Sequence, residues 1–218
     1  MNEETLYKPV ADFVKREFNC FYVGIKKGID LGTIDVVGLR YVMGDYGGST
    51  EVIAVEVKPE EMTFLKCAGQ AHAYSVMADR CYLAIQKPYG RTVTQEQKDV
   101  AAQLQLGLIE IGKRKKCRVV VSSPEQHPIR AHRLALIKRC GLVECVICGC
   151  LFEAKAMRSL REHSNITHAI RDGKSFRYWL MDLYDKRRGD NRKYVHDRRH
   201  ICRDCVQIFS GFLKGKNG

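Results

Sequence analysis

Asp35 closes the stretch GTID, and Glu56 and Lys58 stand two positions apart in EVIAVEVK, a run otherwise built mainly of valine, isoleucine and alanine. Charged side chains on a segment made for burial need a partner, because an isolated charge is costly away from water. Side chains alternate between faces along a strand, so Glu56 and Lys58 share one face, and neighbouring strands lie about 5 Å apart. Two carboxylates at the same end of adjacent strands can therefore hold one hard divalent cation between them. Lys58, on the same face, would reach an attacking water or a phosphate oxygen beside that ion. Phosphodiester hydrolysis needs these parts: a divalent ion to neutralise developing charge and acidify water, and a nearby group to position the nucleophile. The expected metal is Mg2+ or Mn2+, with Asp35 and Glu56 as ligands.

A second set of residues predicts another metal. CVIC and CRDC supply Cys145, Cys148, Cys202 and Cys205, two C-x2-C knuckles able to close a tetrahedral structural zinc site. His163 and His168 follow the first knuckle at the spacing of a two-Cys, two-His finger, and a mixed set using Cys150 or His200 is a third arrangement. Cys20, Cys67, Cys81, Cys117 and Cys140 are scattered and read as buried thiols. Between the knuckles, aromatics mix with cations, an arrangement suited to nucleic acid. Phe176, Leu180 and Leu183 are spaced as a small helical core, while Lys186, Arg187, Arg188, Arg192, Lys193, Arg198 and Arg199 are expected to contact phosphate oxygens, with a merely solvated basic face as the alternative. The segment GKRKKCR, residues 112–118, reads equally as a further phosphate contact or as an ordinary charged hairpin.

The 218-residue chain carries a formal net charge of +12, with the larger share of the excess beyond residue 139. That balance predicts a polyanionic partner, nucleic acid before a membrane surface. No apolar run approaches the roughly 20 residues that span a bilayer, so no membrane is expected. The start, MNEETLYKPV, lacks the basic and apolar regions of a secretory signal. An intracellular protein is expected, cytoplasmic, or in the nucleoid or nucleus, where thiols stay reduced.

The positioning elements follow from periodicity. Leu6, Val10, Phe13, Val14 and Phe18 recur at helical spacing over residues 3–18, with Pro9 inside the helix and its start therefore in question. Strands are predicted over 20–25, 32–42 and 49–58, a helix over 62–79, a strand over 80–86, a helix over 94–105, strands over 106–112 and 117–123, and a connecting helix over 130–140. The sum is an α/β fold with a mixed sheet flanked by helices. The expected domains are residues 1–123, a connecting helix within 124–141, and a small zinc-binding, basic domain over 142–218.

With GTID ending in Asp35 and EVK as Glu56, Val57 and Lys58, the chain over roughly residues 3–122 resembles the PD-(D/E)XK nuclease superfamily, although Thr33 and Ile34 stand where the name motif has proline before aspartate. The resemblance implies a restriction-endonuclease-like fold. It also implies a third acid from the first helix, Glu4 in preference to Glu3, and a supporting Gln70 with Tyr74 on one helical face. Taken alone, Tyr74 reads as a core aromatic. The implied activity is metal-dependent DNA endonuclease chemistry, structure-selective in repair, recombination or mobile-element defence, with Lys58 orienting or activating water. Many nucleases of this type dimerise to cut two strands, so a homodimer is among the expectations. Two other readings stand beside it: an inactive nuclease fold that binds nucleic acid as a scaffold, and an RNA-directed nuclease.

Overall fold

The computed structural model describes residues 3–44, 47–59, 63–88, 91–145 and 149–153. Contacts divide the chain into a unit Met1–Leu142 and a second unit beginning at Val143.

In the first unit, helix α1 spans Glu4–Glu17 and buries Leu6, Tyr7, Val10, Phe13 and Val14 along one stripe. Pro9 lies inside it and lacks the N–H that would bond the carbonyl of Thr5 four residues back. That carbonyl accepts instead from Lys115 Nζ at 2.9 Å. The helix thus runs through its proline, and an exposed lysine from a distant turn takes up the carbonyl that the proline leaves free.

Strand β1 (Tyr22–Ile29) and β2 (Gly32–Gly44) form an antiparallel hairpin whose last pair is Ile29 with Gly32, leaving a two-residue turn at Asp30 and Leu31. Gly28 is required there: a Cβ would stand 2.1 Å from the Gly32 carbonyl oxygen. Strand β3 (Gly47–Lys58) pairs antiparallel to β2, then β4 (Arg80–Gln86) runs parallel to β3 and β5 (Gly107–Ile111) parallel to β4. Strand β6 (Cys117–Val121) returns antiparallel to β5. Helices α2 (Phe64–Ala73) and α3 (Gln95–Gln103) lie in the two crossovers between parallel strands. The result is a six-stranded mixed sheet in the order β1-β2-β3-β4-β5-β6, flanked by helices. The helix expected over 62–79 is shorter than its periodicity suggested and ends in a 3-10 turn, Tyr74–Val76.

Helix α1 packs with Val36, Ile53, Val55, Val57, Tyr82, Ala84, Ile109 and Ile111 in one buried cluster. Gly38 permits this approach, since a Cβ there would come within 2.8 Å of Val14 Cγ1 and of Cys20 Sγ. Alternation puts the neighbouring residues of β3, Ala54, Glu56 and Lys58, on the opposite face, where α2 contacts β3 and β4. At the far end of β3, Glu51 bridges Arg40 at 2.6 Å and Arg80 at 2.8 Å, and Asp79 accepts from Val52 N–H at 2.6 Å while pairing with Arg133 at 2.9 Å. Helix α4 (Arg130–Arg139), expected as a connector, thereby belongs to the first unit, with Leu136 and Ile137 buried. Cys20, Cys67, Cys81 and Cys140 are buried as expected, whereas Cys117, on the outer strand β6, is partly exposed. Among the described residues no helix is long and apolar enough to cross a membrane.

Strand β7 (Leu142–Glu144) pairs with β8 (Leu151–Glu153) in a separate two-stranded sheet. The loop they enclose is closed by Cys145 N–H to the Cys150 carbonyl at 2.8 Å and by Gly149 N–H to the Cys145 carbonyl at 3.0 Å. Gly149 has φ +72°, which favours glycine, and Cys145 is buried.

Candidate active site

The carboxyl end of β3 gathers the chemistry. Glu56 is fully buried, Asp35 is 2 % exposed and Lys58 8 % exposed. The ladder of β2 and β3 ends at the pair Val36 and Val55, so the next residues, Asp35 and Glu56, face one another where the strands part. There Asp35 Oδ2 accepts Val57 N–H at 2.8 Å, replacing a ladder carbonyl with a carboxylate. Like charges across a strand pair are unfavourable, and the structure compensates each with its own ammonium. Lys26 Nζ stands 2.6 Å from Asp35 Oδ1, and Lys58 Nζ stands 2.7 Å from Glu56 Oε1. The second contact is ionic rather than directional, for Glu56 Oε1 is buried without a well-aligned hydrogen bond.

The other oxygen, Glu56 Oε2, accepts from the Tyr74 hydroxyl at 2.6 Å. Thr33 carbonyl lies 2.9 Å from the same hydroxyl, so the single proton goes to the shorter, charged acceptor. Tyr74 is buried, as a core aromatic should be, but its hydroxyl belongs to the site. Gln70, one helical turn earlier, is exposed and reaches the Tyr74 hydroxyl with its side chain.

Helix α1 brings Glu3 to this cluster, not Glu4. Glu3 Oε2 stands 3.2 Å from Lys58 Nζ, and Glu3 Oε1 accepts from the Tyr7 hydroxyl at 2.6 Å. The reason is helical phase: residues 3 and 7 lie on one face, and Tyr7 is on the buried stripe. Glu4, rotated by about 100° from Glu3, is exposed.

Burial raises the pKa of Glu56, and the like charge of Asp35 adds to it, against the opposing donors Lys58 and Tyr74. Lys58 is desolvated too, which favours its neutral form, yet Glu56, Glu3 and Asp35 outweigh that and hold it above the ordinary lysine value. The same balance, with Asp35 as the main partner, raises Lys26. Partial burial acts to raise Glu3, but donation from Tyr7 and Lys58 and the charges of Lys58 and Lys26 leave it lowered. Burial and donation to Glu3 push Tyr7 up to about 12, and burial and donation to Glu56 raise Tyr74 further. Both tyrosines therefore remain hydrogen-bond donors at neutral pH.

Lys26 and Tyr7 are the members that sequence reasoning missed. Pairs Ile25 with Val36 and Lys27 with Ile34 bracket Lys26, which takes φ 52° and faces Asp35. A left-handed residue other than glycine costs about 1–2 kcal/mol. The ion pair with Asp35 and the Tyr7 ring, its centroid 4.5 Å from Lys26 Nζ, offset that cost. The two-residue turn at Asp30 and Leu31 is the signal that sets position 26 opposite 35.

Three carboxylates thus meet two ammoniums, and one buried carboxylate oxygen lacks an aligned donor, so the donor set suits an additional hard cation at Asp35 and Glu56. Among the described residues no three His, Cys, Asp or Glu side chains are gathered to enclose an ion. A cation held here would rest on one or two carboxylates and complete its shell with water, as Mg2+ commonly does.

Cys145 is the described member of the four-cysteine set and Cys150 of the mixed alternative is described too, whereas His200 and the small-core positions Phe176, Leu180 and Leu183 lie outside the described residues. Cys148, Cys202, Cys205, His163, His168 and the basic positions Lys186, Arg187, Arg188, Arg192, Lys193, Arg198 and Arg199 lie outside the described residues. No known family, curated protein or solved structure matches the chain.

Proposed function

We propose that the chain is a Mg2+- or Mn2+-dependent DNA endonuclease of the PD-(D/E)XK kind, with a restriction-endonuclease-like sheet. The observation that carries this reading is the meeting of buried Asp35, Glu56 and Lys58 where β2 and β3 part. When bound, the divalent ion supplies Lewis acidity toward a phosphoryl oxygen and a more acidic water. Asp35 and Glu56 would hold it. Tyr74 fixes one oxygen of Glu56 and leaves the other facing the site. Lys58, held between Glu56 and Glu3, is placed to orient or activate water and to meet the phosphate. Glu3 and Tyr7 fix the Lys58 ammonium from the side of α1, and Gln70 supports Tyr74.

The scaffold reading has one observation in its favour: both carboxylates already hold ammonium partners. Labelled single-stranded, duplex and branched DNA, with RNA of matched sequence, separates the alternatives. Cutting of DNA that requires Mg2+ or Mn2+ is the expected result. Binding without cutting in either metal would favour the scaffold, and cutting confined to RNA would favour the RNA-directed enzyme.

For the second unit we propose a structural zinc site of Cys145, Cys148, Cys202 and Cys205. The buried Cys145 in a hairpin closed by its own backbone bonds supports it. Metal analysis of dialysed protein should find one zinc per chain, lost in Cys145→Ser and in Cys202→Ser but retained in His163→Ala. Loss in His163→Ala with retention in Cys202→Ser would assign the two-Cys, two-His set instead.

A further inference from the structure

We propose that the rim formed by Lys58, Lys87, Arg114 and Lys116 is the track on which the phosphodiester backbone of the nucleic acid lies as it crosses the candidate site. The proposal rests on the nuclease reading for the chemistry at Lys58, not for the binding. Parallel pairing sets Lys58 level with Ile85, and Ile85 level with Glu110. Three consecutive strands, about 5 Å apart, therefore end at the same side of the sheet, and each carries a cation in or after its last residues. Strand β3 ends in Lys58, β4 is followed by Lys87, and β5 by the turn carrying Lys113, Arg114, Lys115 and Lys116.

Lys87 is fixed at its base, because its N–H bonds the Ile111 carbonyl at 2.9 Å, and its side chain lines a recess shared with Lys58, Phe64, Cys67 and Gln97. The turn is fixed as well. Lys115 is held by the Thr5 carbonyl in the first turn of α1, two residues from the Glu3 that touches Lys58. Gly112 N–H closes the turn on the Lys116 carbonyl at 2.8 Å.

Among the described residues Lys87, Arg114 and Lys116 have no acidic partner, and Arg114 and Lys116 are exposed. From Gly112 to Pro124 there is no acidic residue to repel a phosphate. Arg114 and Lys115 take φ of 55° and 58°, a conformation cheaper for glycine, so the turn presents charged side chains at a backbone cost. Cations spread across three strand ends suit successive phosphates of a chain better than one small anion, and they read no bases.

Anisotropy titrations of the full-length protein with labelled duplex and single-stranded DNA, in Ca2+ to withhold cleavage and over a range of salt, test this. The variant is Lys87→Ala/Arg114→Ala/Lys116→Ala. The control removes equal charge from the last turns of α1 and α4, as Lys15→Ala/Arg16→Ala/Lys138→Ala. The rim variant should bind about tenfold or more weakly near physiological salt, with the slope of log K against log salt reduced by about 2 to 3, one unit per phosphate contact. The control should retain the wild-type slope. Equal losses in both variants, or none in the rim variant, would overturn the track. A wild type that binds through the rim but cuts nothing in Mg2+ or Mn2+ would sink the nuclease reading and leave the track standing.

Discussion

Lys58→Met is expected to reduce metal-dependent cleavage by a factor of about 10^3, the scale seen when one preorganised charge-stabilising group is removed from an active site. It should also lower stability by about 3–5 kcal/mol, because it leaves a buried charge without its partner. Glu56 is fully buried, and without Lys58 it keeps the Tyr74 hydroxyl as donor but faces Asp35 with no ammonium of its own. The double variant Lys58→Met/Glu56→Gln should recover most of that stability, since the uncompensated charge is gone, and none of the activity. The Glu56 pKa already lies above its usual value through burial and the charge of Asp35, and removing Lys58 moves it further up. A carboxyl group with a raised folded-state pKa binds more protons folded than unfolded, so its variant loses stability as pH rises through that window. Urea titrations should therefore find Lys58→Met closest to wild type below the ordinary glutamate range and progressively less stable toward neutral pH. A variant equally stable across that range would show that Glu56 is not the group left stranded.

Asp35→Asn should lose cleavage to a similar extent while costing only about 1 kcal/mol of stability, and Asp35→Ala should cost about 1–3 kcal/mol for the unsatisfied buried donor. The two differ in one hydrogen bond. Asparagine can still present an oxygen to Val57 N–H, which Asp35 accepts at 2.8 Å, whereas alanine leaves that N–H buried without an acceptor. Neither replacement keeps the anion facing Lys26, but the Lys26 side chain is 47 % exposed and can turn to water. The activity loss has a different origin from the stability loss, which is why the pair of variants is informative. Isothermal titration with Mn2+ should show weakened binding in both. If Asp35→Asn cleaves as the wild type does, Asp35 is a strand-end cap and not a metal ligand.

Much of the sheet was legible because alternation is a local signal: the strand over 80–86 and the placement of Glu56 and Lys58 on one face follow from side-chain periodicity alone. The end of α2 was not, because Tyr74 continues the helical spacing while the backbone tightens to a 3-10 turn that aims its hydroxyl at Glu56. The first helix was legible despite Pro9, from the recurrence of Leu6, Val10, Phe13 and Val14, but the group that takes up the Thr5 carbonyl was not, since Lys115 is 110 positions away from it.

Residue types and spacing by themselves singled out Asp35, Glu56 and Lys58 as the candidates for chemistry, and the two C-x2-C pairs that begin at Cys145 and Cys202 as candidates for metal. Tertiary structure alone decided which partners they meet. Glu3 rather than Glu4 faces Lys58 because α1 is phased by the burial of Tyr7 and Val10 against the sheet, a contact between elements far apart in the chain. Lys26 reaches Asp35 because hairpin register sets it opposite and a left-handed φ is tolerated there. The Lys58 pKa is raised because, against its burial, three carboxylates from two strands and a helix converge on it. Period and composition specify a face, whereas charge state depends on what the fold packs against that face.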